Sequence, residues 1–218
     1  MATAFLAHLN RIPIAHIAGG DVTEGSYDDA MRDAISRMAS LHFVTSTSAM
    51  ARLTHMGLRN VHLVGNPCID YMRNTAWKAA RPYKRPYVVV SYQPETLEGV
   101  NEIDKVIASL PAGKFAVFIM PNPDNGSDAI RDSIEAYVGN HAADAIWFNS
   151  LPHAQFVNLL HHCDEFVGNS SSMLYEAPEL SVKTRMIGRR QRGRTIPFGD
   201  GHASERIIKI LKFTAGTL

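Results

Sequence analysis

Short apolar runs alternate with longer amphipathic stretches along the whole chain. Ile12–Ile17, His42–Thr45, Val61–Val64, Tyr87–Tyr92, Phe115–Met120, Ala145–Phe148, Glu165–Val167 and Thr184–Ile187 have the length and the β-branched or aromatic content of strands. Between them, Tyr27–Ala39, Ser46–Met56, Asn101–Leu110, Asp128–Val138, His153–Cys163, Ser172–Pro178 and His202–Leu211 carry helical periodicity. Strands that alternate with helices of about 10–15 residues predict parallel βαβ units, because parallel neighbours need a crossover. The predicted class is α/β, of the doubly wound kind.

The stretch from Ala79 to Pro86 interrupts this series with two prolines and three basic residues. It reads as a linker or as a surface loop, and the fresh strand–helix series after it favours the linker. The expected division is 1–80 and 81–218. The first part has fewer strands than an open parallel sheet ordinarily needs. Either another chain completes it or the chain has lost its beginning.

Hydrophobic residues make up 45% and charged residues 20% of the 218 positions, enough apolar matter for a buried core. A net charge of +1 gives no reason to expect nucleic acid or an anionic membrane as partner. A small anionic ligand needs only a local cluster of cations. Cys68 and Cys163 are far apart and outside any C-x-x-C spacing, which fits reduced thiols in a cytoplasmic protein. The start lacks a basic n-region and is broken by His8, Asn10 and Arg11, so no signal peptide is expected. No apolar run approaches the roughly 20 residues of a membrane helix.

In doubly wound sheets ligands bind beyond the carboxyl ends of strands, so the loops there carry the candidate chemistry. After the first strand, Gly19, Gly20 and Gly25 allow close backbone approach, and Asp21, Glu24, Asp28 and Asp29 bring carboxylates together. Arg32 can pair with Asp28 at i,i+4. Crowded carboxylates can form an acid–base pair, but spacing alone favours a plainer role, with Asp28 and Asp29 at a helix N-terminus and the rest solvated. After the strand Glu165–Val167 comes Gly168-Asn-Ser-Ser-Ser172, with Glu176 about a turn further on. Hydroxyls and N–H groups between strand and helix suit a phosphate slightly better than a bare N-cap, and Glu176 could hold a ribose diol. Arg189, Arg190, Arg192 and Arg194 crowd one loop, which is costly without anions or acids nearby; a solvated basic loop stays equally open. Ser91–Glu95 is another strand-end loop. His161 and His162 have no third ligand spaced to join them, so no metal site is expected.

Together these blocks resemble the UDP-N-acetylglucosamine 2-epimerase family, in particular its hydrolysing members of sialic-acid and legionaminic-acid type pathways. The resemblance runs in order through IPIAHIAGGDVTEGSYDDAMRDAISRMASLHFV, VGNPCIDYM, SYQPETLE, MPNPDNG, VGNSSSMLYEAPEL and IGRRQRGR. It implies a glycosyltransferase-B-like fold of two Rossmann-like domains, the first of them incomplete here. It also implies a reaction without metal or cofactor: elimination of UDP from the sugar to a glycal, then hydration with inversion at C2. By the same resemblance Asp21, Glu24 and Asp28 are the acid–base carboxylates and Arg32 holds them or the diphosphate. Asn169, Ser170, Ser171 and Ser172 line the UDP site, with Ser170 and Ser171 on phosphate, Glu176 on the ribose and Arg190 on the diphosphate side. The implied partner is a UDP-sugar, with a homodimer or a complementing N-terminal chain left open.

Three positions depart from the family pattern. Gln93 stands where relatives usually carry His, and Gln cannot titrate near neutral pH. Asp33 replaces a usual His, and Arg189 a usual Asp. A further carboxylate and an arginine normally come from sequence this chain does not contain. The resemblance therefore also admits a non-catalytic remnant of a split gene, an epimerase for a UDP-diacetamido sugar, and a transferase of the same fold.

Overall fold

A computed structural model describes residues 1–74, 78–194 and 199–215. The elements run α1 (Ala2–Leu9), β1 (Ala15–Ile17), α2 (Asp28–Met38), β2 (Leu41–Val44), α3 (Thr47–His55), β3 (Val61–Leu63), α4 (Pro67–Asn74), β4 (Tyr87–Ser91), α5 (Ile103–Ala108), β5 (Phe115–Ile119), α6 (Ser127–Asn140), β6 (Ala145–Phe148), α7 (His153–His161), β7 (Glu165–Gly168), α8 (Glu176–Glu179), β8 (Thr184–Met186) and α9 (Ala203–Ala215). Strands neighbouring in either sheet pair in parallel, as the alternating pattern predicts. The chain forms two compact units: Met1–Thr23, Tyr27–Asn74 and Gly193–Leu218 make the first, Glu24–Ser26 and Thr75–Arg192 the second.

The second unit is built on a five-stranded sheet in the order β6-β5-β4-β7-β8. Its central strand β4 is buried along its length. Side chains of a strand alternate between faces. Val88, Val90 and Tyr92 pack with Ile103 and Val106 of α5 and Ile130 and Ile134 of α6. Tyr87 and Val89 pack into the opposite layer with Leu159 and Leu160 of α7 and with Phe166. Both faces are covered, so this strand reads as a continuous apolar run rather than an alternating one. Each fully buried Val or Leu contributes about 1.5–3 kcal/mol. The sheet grows from β4 through β5 to β6, then resumes on the other side of β4 with β7 and β8. That reversal opens a crevice at the carboxyl ends of β4 and β7.

The first unit has a three-stranded sheet, β1-β2-β3. β2 is buried throughout. Leu41 and Phe43 cluster with Val64 and with Ile207 of α9, while Val44 meets Ala49 and Leu53 of α3. The apolar stripe of α9 is what places it here rather than with the residues before it in sequence, so the units differ from a simple division at residue 80.

The segment from Ala79 to Pro86 also differs from a loose linker. The buried Asn158 of α7 accepts from the Ala79 N–H at 3.1 Å and donates to the Ala80 carbonyl at 3.2 Å. Tyr83 packs edge-on against Tyr87 and Phe115, and the Arg85 guanidinium lies 3.8 Å from the Phe115 ring centroid. Two helices were not anticipated. α1 has no buried residue, so it lacks the one-sided pattern that marks a packed helix. α4 does carry a signal: Pro67 occupies its first position and Asn66 Oδ1 accepts from the Cys68 N–H.

His16 on β1 bonds Ser36 of α2 at 2.9 Å. Ser36 gives its own hydrogen to the Arg32 carbonyl, so His16 Nδ1 is the donor and the ring is neutral at Nε2. Burial, then the neighbouring His42 and Arg32, hold its pKa down to about 4; burial and His62 also lower that of His42. A histidine with a lowered folded pKa takes its proton first in the unfolded chain. Stability should be full above the ordinary histidine value of 6.5 and fall as pH drops from there towards about 4. Thermal melts across that range should show the fall, and His16→Asn should flatten it; an equal fall in the variant would contradict the assignment.

Candidate functional site

The crevice at the β4/β7 switch point depends on two residues that follow paired strand ends. Ser91 and Gly168 are register partners. Gly168 has φ +136°, and a Cβ there would stand 2.0 Å from the Ser91 carbonyl oxygen, so only glycine allows this approach. Immediately beyond, the fully buried Asn169 clasps the backbone of Gln93. Its Oδ1 accepts from the Gln93 N–H at 2.6 Å and its Nδ2 donates to the Gln93 carbonyl at 2.9 Å. The side-chain amide thus extends the β4–β7 ladder past its last backbone pair.

Gln93 is itself buried and committed. Its Oε1 accepts from the Asn122 N–H at 2.9 Å and its Nε2 donates to Ser91 Oγ at 3.4 Å. It therefore ties the loop after β4 to the loop after β5, a task that needs a donor and an acceptor but no titration.

A cavity of about 350 Å³ lies at these strand ends, within the range of small-molecule sites. Gln93, Asn122, His153, Ser170–Ser172 and Arg190 are in its wall. A larger cavity, about 1200 Å³, lies in the first unit beside Ala15, Leu41 and His62, at the amino ends of its strands. Larger volume does not make it the better candidate: it is mostly apolar and at the wrong strand ends for ligand binding in this fold class.

The serine run takes a different local form from the expected helix start. Ser171–Met173 is a single 3-10 turn, and α8 has only four residues. Ser170 Oγ caps the turn by accepting from the Ser172 N–H. A short α8 offers little macrodipole, so anion affinity here has to come from hydroxyls, N–H groups and Arg190. Ser171 and Ser172 are half-buried in the cavity wall. Glu176 is buried and accepts from His153 Nε2 at 3.1 Å.

The arginine loop is not simply solvated. Arg190 is 9% exposed and reaches the cavity. Buried Glu95 accepts from the Arg189 N–H at 2.7 Å, and Gln191 Nε2 donates to the Asn169 carbonyl at 2.8 Å. Arg192 pairs with Glu24 and with Glu98 at 3.4 Å. Gly25 packs on the same loop: a Cβ there would lie 2.6 Å from Arg190 Cα. The loop holds together because acids and backbone acceptors surround its cations.

In the first unit the acids also meet cations rather than each other. Asp21 accepts from Thr45 Oγ1 at 2.9 Å and lies 3.8 Å from Arg194 Nη2. Arg32 pairs with Asp29, at i,i+3, instead of the expected Asp28, and also donates to the Asp21 carbonyl at 2.8 Å. Asp29 is turned towards Arg32 because it also accepts from the Thr23 N–H at 2.8 Å. Asp28 is half-buried in the first turn of α2. Asp21, Asp28 and Arg32 belong to the first unit, and Glu24, Gln93, Asn169, Ser170, Ser171, Ser172, Glu176 and Arg190 to the second. Departing Asp33 bonds Arg52 at 2.6 Å. His153, Asn149 and Ser150 are cavity residues that sequence reading did not single out, whereas Asn122 lies in the MPNPDNG block. The strand-end rule would have found Asn149 and Ser150, which directly follow β6.

A family model described as UDP-N-acetylglucosamine 2-epimerase matches residues 1–196. The UDP-N-acetylglucosamine 2-epimerase of Neisseria meningitidis serogroup B is 29% identical over 208 residues, 89% of this chain and 54% of that protein. The polysialic acid biosynthesis protein P7 of Escherichia coli is 30% identical over 209 residues, 88% of this chain and 53% of that protein. The chain thus spans about half the length of these curated relatives. Among solved structures, an S. aureus MnaA–UDP co-structure superposes with TM-score 0.77 at 19% identity, over 100% of this chain and 73% of that one. The N. meningitidis UDP-GlcNAc 2-epimerase bound to UDP-GlcNAc gives 0.75 at 16%, over 96% and 72%. The fold is therefore the glycosyltransferase-B-like α/β class that the family resemblance implies. No helix among the described residues is long and apolar enough to cross a membrane.

Asn169→Ala should strip both partners from the buried Gln93 backbone and cost roughly 2–4 kcal/mol, read from urea unfolding of the chain. A loss under about 1 kcal/mol would mean that the clasp is not what holds the two strand ends.

Proposed function

The chain belongs to the UDP-N-acetylglucosamine 2-epimerase family, and we propose that it acts in the cytoplasm as a hydrolysing member, eliminating UDP and releasing the 2-epimeric sugar of N-acetylmannosamine type. The observation that carries this reading is the cavity in the second unit, where Arg190, the Ser170–Ser172 turn and Gln93 meet at the β4/β7 switch point. Arg190 and the half-buried hydroxyls suit a diphosphate, whose oxygens accept from both. In this reading Asn169 shapes the phosphate loop, Ser170, Ser171 and Ser172 face phosphate, and Glu176 serves the ribose side. The second unit is the nucleotide-binding domain, and the first is the sugar-side domain.

Elimination across C1–C2 needs a base for the C2 proton and stabilisation for the departing UDP; hydration then needs an acid and a directed water. Asp21, Glu24 and Asp28 take the acid–base roles by family resemblance, and Arg32 keeps the first loop in shape through Asp29 and the Asp21 carbonyl. Gln93 acts as a hydrogen-bonding residue in place of a titrating one. A homodimer partner or a complementing N-terminal chain is part of this reading of its partners. A UDP-diacetamido sugar is the second substrate reading, favoured by the Legionella pneumophila UDP-N,N'-diacetylbacillosamine 2-epimerase (hydrolyzing), which is 28% identical over 210 residues.

Incubating the chain, with and without a relative's N-terminal portion, with UDP-N-acetylglucosamine and assaying UDP and N-acetylmannosamine tests the reaction. UDP binding with no release of either product under both conditions would leave a binding protein instead. Ser171→Ala should weaken UDP by about 1 kcal/mol in calorimetry, and unchanged affinity would reduce that serine to a turn former. In the complemented chain Gln93→His should raise turnover; no gain with folding intact would count against a reactive role for that loop.

A further inference from the structure

The turn that carries Arg190 is held from several sides within the second unit. Buried Glu95 accepts from the Arg189 N–H at 2.7 Å, and the Arg192 N–H closes the turn onto the Arg189 carbonyl at 2.9 Å. The Arg192 carbonyl accepts from the Glu24 N–H at 3.1 Å. The Arg192 guanidinium meets Glu24 at 2.5 Å and Glu98 at 3.4 Å. Through these contacts the short segment Glu24–Ser26 belongs to the second unit.

Gly25 in that segment is buried and has no room for a side chain. A Cβ would lie 2.6 Å from Arg190 Cα and 3.1 Å from both the Arg189 carbonyl oxygen and the Arg190 nitrogen. Those are backbone atoms in a packed interior, which cannot swing aside as the end of a side chain can. Any larger residue at 25 must shift the main chain that carries Arg190. A shift of about 1 Å is enough to lose a hydrogen bond. Arg192 is half exposed, so its ion pairs add little stability. What two carboxylates on one guanidinium fix is its direction.

Arg190 lines the cavity, whereas Gly25 and Arg192 do not. Resting on the nucleotide reading given above, we propose that Gly25 and Arg192 are positioning residues that together set where the Arg190 guanidinium meets the diphosphate.

Calorimetry with UDP and ligand-detected NMR with uridine, both on the full 218-residue chain, test this. The native chain should prefer UDP. Gly25→Ala changes no charge; it should weaken UDP about five- to tenfold and uridine less than about twofold. Glu98→Ala separates position from charge. Losing a negative charge would tighten UDP if only the local field mattered. Loosening Arg192 should instead weaken UDP about two- to fivefold. Arg192→Lys keeps a cation between the glutamates and should stay within about threefold of the native affinity, where Arg192→Ala loses about five- to tenfold. Thermal melts confirm the fold of each variant, and should Gly25→Ala not fold, the Glu98 and Arg192 variants decide. The proposal is overturned if a folded Gly25→Ala chain binds UDP as the native one does, if it loses UDP and uridine equally, or if Glu98→Ala tightens UDP. A native chain that binds UDP no better than uridine overturns the diphosphate role of Arg190. One that binds neither overturns the nucleotide reading itself.

Discussion

The site hangs on a side-chain amide that continues a β-ladder. Asn169 gives Gln93 the two hydrogen bonds that a strand neighbour would have given, at the point where β4 and β7 diverge. Without it a buried N–H and a buried carbonyl would be stranded, each costing about 1–3 kcal/mol. With it the strands can part and still leave their backbones satisfied. Gly168 makes this possible one residue earlier, since any Cβ would collide with the Ser91 carbonyl. The loops that line the cavity start from these two positions.

Charge is then arranged locally in a chain that is close to neutral overall. Arg189 and Arg192 are anchored by Glu95, Glu24 and Glu98, through a backbone N–H in the first case and a guanidinium in the second. That bracing lets Arg190, between them, be buried in the cavity wall. A buried guanidinium carries a large desolvation cost unless partners meet it, and its neighbour Arg192 is itself paired with two glutamates. The same economy governs the first unit, where Asp21 and Asp29 are each held by hydrogen-bond donors and an arginine.

Such an arrangement constrains the chemistry as well as the shape. Gln93 joins two strand-end loops through both ends of its amide. A residue so employed steadies the wall of the cavity.

The amino-acid order alone makes legible the α/β class, the parallel pairing of strands and the loops that bear polar side chains. Apolar periodicity and strand-end glycines are local, and burial on both faces of β4 writes itself into YVVVS. It also carried the family resemblance block by block. The remainder depends on contacts between residues far apart in the chain. Arg32 pairs with Asp29, which also accepts from the Thr23 N–H. The serine run became a 3-10 turn rather than a helix start. α9 joined the first unit because Ile207 found Leu41 and Phe43. His153 met Glu176 across 23 positions with no spacing to announce it. Local pattern sets which face of an element is apolar; which distant partner fills that face, or accepts a given hydrogen, is settled only when the chain is closed.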